Sequence, residues 1–110
     1  MRVVIESPFA GNVDVNTEYA RQCLLHSLNL GESPLAFHLL YTQVLNDNVP
    51  AQRNKGITLS FEWHRKADLI AFYSDLGITA GMKLAMEFAL KNKIKVQKRF
   101  ILGVDSRNRY

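Results

Sequence analysis

Cysteine is almost missing from this chain. Cys23 is the one example among 110 residues, so no internal disulfide can staple the fold. It falls in a helical pattern beside Tyr19, Ala20 and Leu24, the setting of a buried, inert thiol rather than a nucleophile. The histidines, His26, His38 and His64, are scattered without ligand spacing, and neither a metal nor a cofactor is expected. No apolar run approaches the ~20 residues that a membrane span needs. The opening residues enter a strand pattern directly, with no room for a signal peptide, and a cytoplasmic protein that avoids membranes is expected. Repeats, low-complexity stretches and linkers are missing as well, which leaves one domain large enough to bury roughly two thirds of its unfolded surface.

Acidic residues are scarce near the end of the chain. Seven of the fourteen Lys and Arg residues lie within residues 91–109, against the single acid Asp105, and the net charge is +4. Such a basic end could meet phosphates. However, Lys93, Lys95 and Arg99 alternate along a strand pattern, as charges do on an edge strand that resists pairing with another chain. No aromatics interleave with them as a stacking platform for nucleic acid requires. Nucleic acid is therefore not the expected partner.

The informative stretch covers residues 67–89. Leu69, Ile70, Ala71, Phe72 and Tyr73 form an unbroken apolar run, the pattern of a central parallel strand covered on both faces. A polar loop with Gly77 and Gly81 follows, and Thr79 is placed to cap a helix over residues 80–92. In open parallel sheets ligands sit beyond the carboxyl ends of the strands, which is where this loop falls.

Ahead of that stretch, residues 2–6 read as a first strand and residues 7–12 as the loop leaving it, stopped by Pro8 and Gly11. A helix over residues 14–29 follows, capped by Asp14 or Asn12 and ended by Gly31. Residues 35–41 read as a second strand, with Thr42 and Gln43 at its carboxyl end and His38 as a core histidine inside it. Pro50 opens a helix reaching about residue 66, with Ile57, Ser60, Phe61 and His64 on one side. Residues 94–102 read as the last strand. The order βαβαβαβ predicts an α/β, single-domain, three-layer sandwich. It has three helices and a four-stranded parallel sheet in the order 2-1-3-4, flavodoxin- or Rossmann-like in topology, over residues 1–103, with a polar tail at 104–110. That order sets the 7–12 loop opposite the 74–81 loop, and the crevice between them is the predicted pocket.

Four blocks carry a resemblance to a known superfamily: the strand running into Glu6-Ser7-Pro8-Phe9-Ala10-Gly11 with Asn16, Tyr19 and Ala20 after it; Gly31-Glu32-Ser33-Pro34 with His38-Leu39-Leu40; Ala67-Asp68-Leu69; and Asp75-Leu76-Gly77-Ile78-Thr79-Ala80-Gly81-Met82 with Ala89. Together they resemble small members of the nucleoside 2-deoxyribosyltransferase-like superfamily, compact domains often met in phage genomes. The resemblance implies a pocket for a nucleotide or nucleoside-like small molecule, and a homo-oligomer that completes its pockets across subunits. It also implies an acid about one helical turn after the glycine matching Gly81. That position here is Ala85, which cannot act as a nucleophile. Glu87 points away from the Met82, Ala85, Met86 and Ala89 stripe, onto a solvated face between Lys83 and Lys91.

The expected ligand-binding residues are Ser7, Pro8, Phe9 and Gly11 on the first loop, Asp75, Gly77, Thr79, Gly81 and Met82 on the second, and Gln43, with Tyr41 beside it, at the neighbouring edge. Asp75 either accepts from the ligand or bonds its own turn. Ser7 and Thr79 either bind a phosphate or sugar or act as caps. Phe9 stacks on a base or covers the sheet end. Glu6 ends a central strand, where an unpaired carboxylate is costly, so it must face the crevice or meet a cation. The expected function is nucleotide binding without turnover, serving in a phage setting to sequester a nucleotide signal. The alternatives are an enzyme acting on an N-glycosidic bond, with Glu6 or Asp75 as its catalytic acid, and a basic nucleic-acid-binding protein. Leu84 and Phe88 form a second apolar ridge, a dimer surface or a wider core face.

Overall fold

The computed structural model describes residues 1–102. Strand β3 (Leu69–Tyr73) is buried at every position, as its unbroken apolar run requires. It pairs in parallel with β1 (Arg2–Glu6) on one side and β4 (Val96–Arg99) on the other, while β2 (Ser33–Ala36) flanks β1. The strand order is β2-β1-β3-β4, as the sequence pattern predicts. Alternate side chains go to opposite faces. Val3, Ile5, Leu69, Ala71 and Tyr73 meet Tyr19 and Cys23 of α1 (Val13–Asn29). On the other face Val4, Ile70 and Phe72 meet Met82, Ala85 and Ala89 of α3 (Ala80–Lys91) and Phe61 of α2 (Pro50–His64). The result is a helix, sheet, helix sandwich with one core on each face. No helix of the described residues is long and apolar enough to cross a membrane.

The helix starts follow local chemistry. Asn12 caps α1 by accepting from Val15 N–H, and Thr79 caps α3 by accepting from Met82 N–H. Pro50 takes the first turn of α2, where its missing N–H costs nothing. Gly11 (φ 98°) and Gly77 (φ 96°) adopt the left-handed backbone that lets the chain turn sharply after β1 and β3.

Two strands are shorter than the sequence pattern predicts. The apolar run over residues 35–41 pairs only as far as Ala36, opposite Ile5. Beyond the end of β1 a longer strand has no ladder partner, so Phe37–Leu39 and Tyr41–Gln43 coil into two 3₁₀ turns instead. These bring Phe37 over His64 (centroids 5.9 Å) and Tyr41 onto Phe37 (4.9 Å). His38 thereby leaves the core position predicted for it. For the same reason the strand predicted over residues 94–102 is limited to Val96–Arg99 by the five residues of β3. Pro34 lies on the outer side of β2, since Ser33 N–H is spent inward on Met1 O, and its lack of a donor blunts that edge.

Arg99 departs from the solvated edge charge predicted for it. Its guanidinium is buried on the α1 face, donates to both carboxylate oxygens of Glu32 at 2.8 and 2.6 Å, and also donates to Tyr73 Oη at 3.0 Å. Leu84 is exposed, while Phe88 stacks on Phe61 at 4.4 Å beneath the Arg65 guanidinium. The predicted apolar ridge is therefore split between solvent and the contact of α2 with α3.

Candidate functional site

β1 and β3 are neighbours in space but not consecutive in sequence, so the loops leaving them diverge and open a crevice at the carboxyl end of the sheet. A cleft of about 140 Å³ fills that position. An engineered cavity near that size holds one benzene, so the enclosed part suits one flat ring with the rest of a ligand at the mouth. Glu6, Phe9 and Ala10 form the β1 side, the 3₁₀ turns contribute Phe37, His38, Tyr41 and Thr42, and Thr79, Ala80 and Gly81 contribute the start of α3. The remaining wall is the inner side of α2, with Gln52, Arg53, Ile57, Ser60 and Phe61. A wider hollow lined by Arg2, Leu35, Trp63 and Lys66 lies at the amino ends of the strands, away from the position where α/β sheets bind ligands.

Of the residues predicted from sequence, Glu6, Phe9, Tyr41, Thr79 and Gly81 border the cleft. Ser7 and Met82 are packed inside the protein. Pro8, Gly11, Gln43 and Gly77 also lie outside the lining. Asp75 points the other way, toward α1. Its Oδ1 accepts from Tyr19 Oη at 2.6 Å and from Ile101 N–H at 2.8 Å, and its Oδ2 accepts from Leu102 N–H at 2.8 Å. Asp75 therefore anchors the chain leaving β4 and is not free to serve as a catalytic acid. Burial pushes the Tyr19 phenol well above its ordinary range, Asp75 adds to that, and Tyr19 stays a donor. Burial likewise pushes the Cys23 thiol up to about 12, which leaves it protonated and unreactive. Ala85 is 1% exposed among Ile70, Phe72 and Met82. It faces the sheet rather than the cleft.

The chemistry of the cleft centres on Glu6. Its Oε2 lies 2.8 Å from Nε2 of His64, a fully buried ring whose Nδ1 lies 2.8 Å from the Ser60 carbonyl oxygen. Glu6 borders the cleft, and among the described residues no fully buried side-chain polar atom lacks a partner, so its remaining oxygen, Oε1, is not sealed inside the protein. Phe9 and His38 stack nearly parallel at 5.3 Å (16°) as one wall. Burial lowers the His38 pKa from its ordinary value, against the pull of Glu6 and Asp47, and favours the neutral ring. At the rim Arg53 sits 3.9 Å from the Asp47 carboxylate, and its guanidinium reaches the start of α3, where a Cβ on Gly81 would lie 3.9 Å away. Gly56 lets Leu45 close in over α2, since a Cβ there would come within 3.2 Å of Leu45 Cδ1.

The α2 wall escaped the sequence reading because that helix carries apolar residues on every side, Leu59 and Trp63 outward as well as Ile57 and Phe61 inward. The one usable signal was Gly56, a mid-helix glycine of the kind that marks a close approach. Among the described residues no cluster of three His, Cys, Asp or Glu is arranged to hold a metal.

Fold and site together define a parallel α/β sandwich with a ring-sized cleft at the sheet's switch point. The chain matches DUF7768, a domain of unknown function, over residues 1–99, and it belongs to that family. No curated protein and no solved structure matches it.

Proposed function

We propose that the cleft binds a nucleotide or nucleotide-derived small molecule. The observation that carries this reading is the pairing of opposite chemistries in one small cleft, with the acceptor oxygen of Glu6 on its floor and Arg53 beside the start of α3 at its rim. The flat wall of Phe9 and His38 suits a heterocycle. Arg53 and the unpaired N–H groups that open a helix suit a phosphate. The sequence resemblance to nucleoside 2-deoxyribosyltransferases supports the same ligand class and, in a phage setting, a role in holding a nucleotide signal out of circulation.

Titration calorimetry against nucleoside monophosphates, cyclic nucleotides and ADP-ribose derivatives tests the proposal. Arg53→Ala should weaken a phosphate-bearing ligand by about tenfold, or 1.4 kcal/mol, and leave the matching nucleoside nearly unchanged. No binding tighter than about millimolar across the panel would remove the reading. A second reading, cleavage of an N-glycosidic bond, is favoured by one observation, the Glu6 carboxylate held open to the cleft. It predicts free base in chromatograms of incubated nucleotides, and its complete loss in Glu6→Gln.

A further inference from the structure

The hydrogen-bond geometry beneath the cleft fixes the number of protons in it. The Ser60 carbonyl can only accept, so His64 Nδ1, 2.8 Å away, carries a proton. His64 Nε2 and Glu6 Oε2 are also 2.8 Å apart. Two bare acceptors do not approach that closely in a buried site, so a proton lies between them. The pair is then either imidazolium with carboxylate or imidazole with carboxylic acid. Both arrangements have zero net charge, and His64 is closed off from water by Phe37, Phe61 and Phe88.

We infer that Glu6 and His64 form a net-uncharged, one-proton pair that offers the ligand a single acceptor oxygen, Glu6 Oε1, and so selects a molecule that brings one hydrogen-bond donor to the cleft floor. The ligand half of this inference rests on the nucleotide reading above and specifies it. Three features make the choice. A carboxylate with both oxygens free would suit a base edge with two adjacent donors, such as guanine's, but His64 has taken Oε2. A free carboxylate on the floor would repel a phosphate-bearing molecule, whereas this pair does not. Asp47, the other carboxylate of the cleft, lies beside Arg53 and so adds no uncompensated negative charge. The donor is either an exocyclic ring amine or a sugar hydroxyl. His64 is a positioning residue, since it sets which oxygen of Glu6 faces the ligand and never faces the cleft itself.

The experiment joins two substitutions and two ligand deletions with two measurements on the ligand-free protein. Glutamine at position 6 preserves the proton count, because its amide N–H can donate to neutral His64 Nε2 while its carbonyl oxygen takes the place of Oε1. Glu6→Gln should therefore melt within a few degrees of the wild type and hold adenosine monophosphate within about threefold, whereas Glu6→Ala should weaken it about tenfold or more. Deleting the amine (purine riboside monophosphate) or the sugar hydroxyls (a dideoxy analogue) identifies the donor, and one of the two should match the Glu6→Ala loss. Nitrogen NMR of His64 in the free protein should show Nδ1 protonated, and binding enthalpies should not depend on the buffer's ionisation heat. The inference is overturned if Glu6→Gln is as damaging as Glu6→Ala, if neither deletion weakens binding, or if His64 Nδ1 proves unprotonated. Failure of every nucleotide to bind would instead remove the nucleotide reading, and with it the ligand half of the inference. The stability of Glu6→Gln and the His64 spectrum would still report on the pair.

Discussion

Arg99→Met should cost about 3 kcal/mol of stability, which for a domain of this size lowers the melting temperature by roughly 10–20 °C. The side chains of Arg99 and Glu32 are 8% and 10% exposed. Removing the guanidinium leaves Glu32 in a nearly closed site with only the Ser27 hydroxyl, at 2.6 Å, to satisfy it. It also strips Tyr73 Oη of a donor at 3.0 Å. A double variant, Arg99→Met with Glu32→Gln, should recover most of the loss, because the damage comes from the abandoned charge rather than from the absence of a pair.

The same pair gives the wild type an acid-sensitive term. The Arg99 guanidinium, helped by Ser27 and opposed by burial, holds the Glu32 carboxyl below its ordinary value. A carboxyl depressed in the folded state contributes stability that is fully present above its unfolded pKa, about 4.3, and is lost as pH falls through the folded value. The stability difference between wild type and Arg99→Met should accordingly shrink as pH falls, first as the unpaired, buried Glu32 of the variant takes up a proton and then, below pH of about 4, as the wild type loses its pair. Denaturant titrations across that range would show it. A difference that stays constant down to acid pH would mean that Glu32 and Arg99 are not electrostatically coupled.

Where one side chain's period settles a question, the sequence was legible. The apolar run of β3, the Thr79 cap of α3 and the helical phase that exposes Glu87 follow from spacing, and the strand order from the rules that govern crossover connections, whereas Ala85, expected at the crevice, is packed against the sheet. Two kinds of information were not local. Strand length depends on the partner: nothing in residues 35–41 says that β1 stops at Glu6, so an apolar run that makes turns looks like one that makes a ladder. The direction of a side chain at a strand's end depends on the next loop, so Asp75 was placed at the correct end of the sheet but on the wrong side of it. The site was half legible for the same reason. Glu6 had to meet a cation or face the crevice, and it borders the cleft with its Oε2 hydrogen-bonded to His64. That its partner would be His64, 58 residues away on the least amphipathic helix, was not readable from either residue.

Ala85→Glu should unfold the protein rather than arm it. The resemblance assigns the superfamily's acid to this position, so the substitution looks like the restoration of a lost carboxylate. The structure makes it a burial experiment. Ala85 is 1% exposed, in the cluster that also holds Ile70, Phe72, Met82 and Ala89. A glutamate there adds several heavy atoms to a filled core, typically about 1–3 kcal/mol, and an unpaired carboxyl whose desolvation costs several kcal/mol more even if it stays protonated. The sum approaches the roughly 5–15 kcal/mol that holds a domain together. We expect loss of the cooperative melting transition by circular dichroism, or a midpoint lowered by more than about 20 °C. Glu87→Ala, on the exposed face of the same helix, should shift stability by no more than about 0.5 kcal/mol and leave ligand binding unchanged. An Ala85→Glu protein that melts like the wild type but binds phosphate-bearing ligands more weakly would put residue 85 on the cleft. It would also return the catalytic question to α3. If the variant unfolds as expected, residue 85 belongs to the core between α3 and the sheet, and the carboxylates that border the cleft are Glu6, at the end of β1, and Asp47.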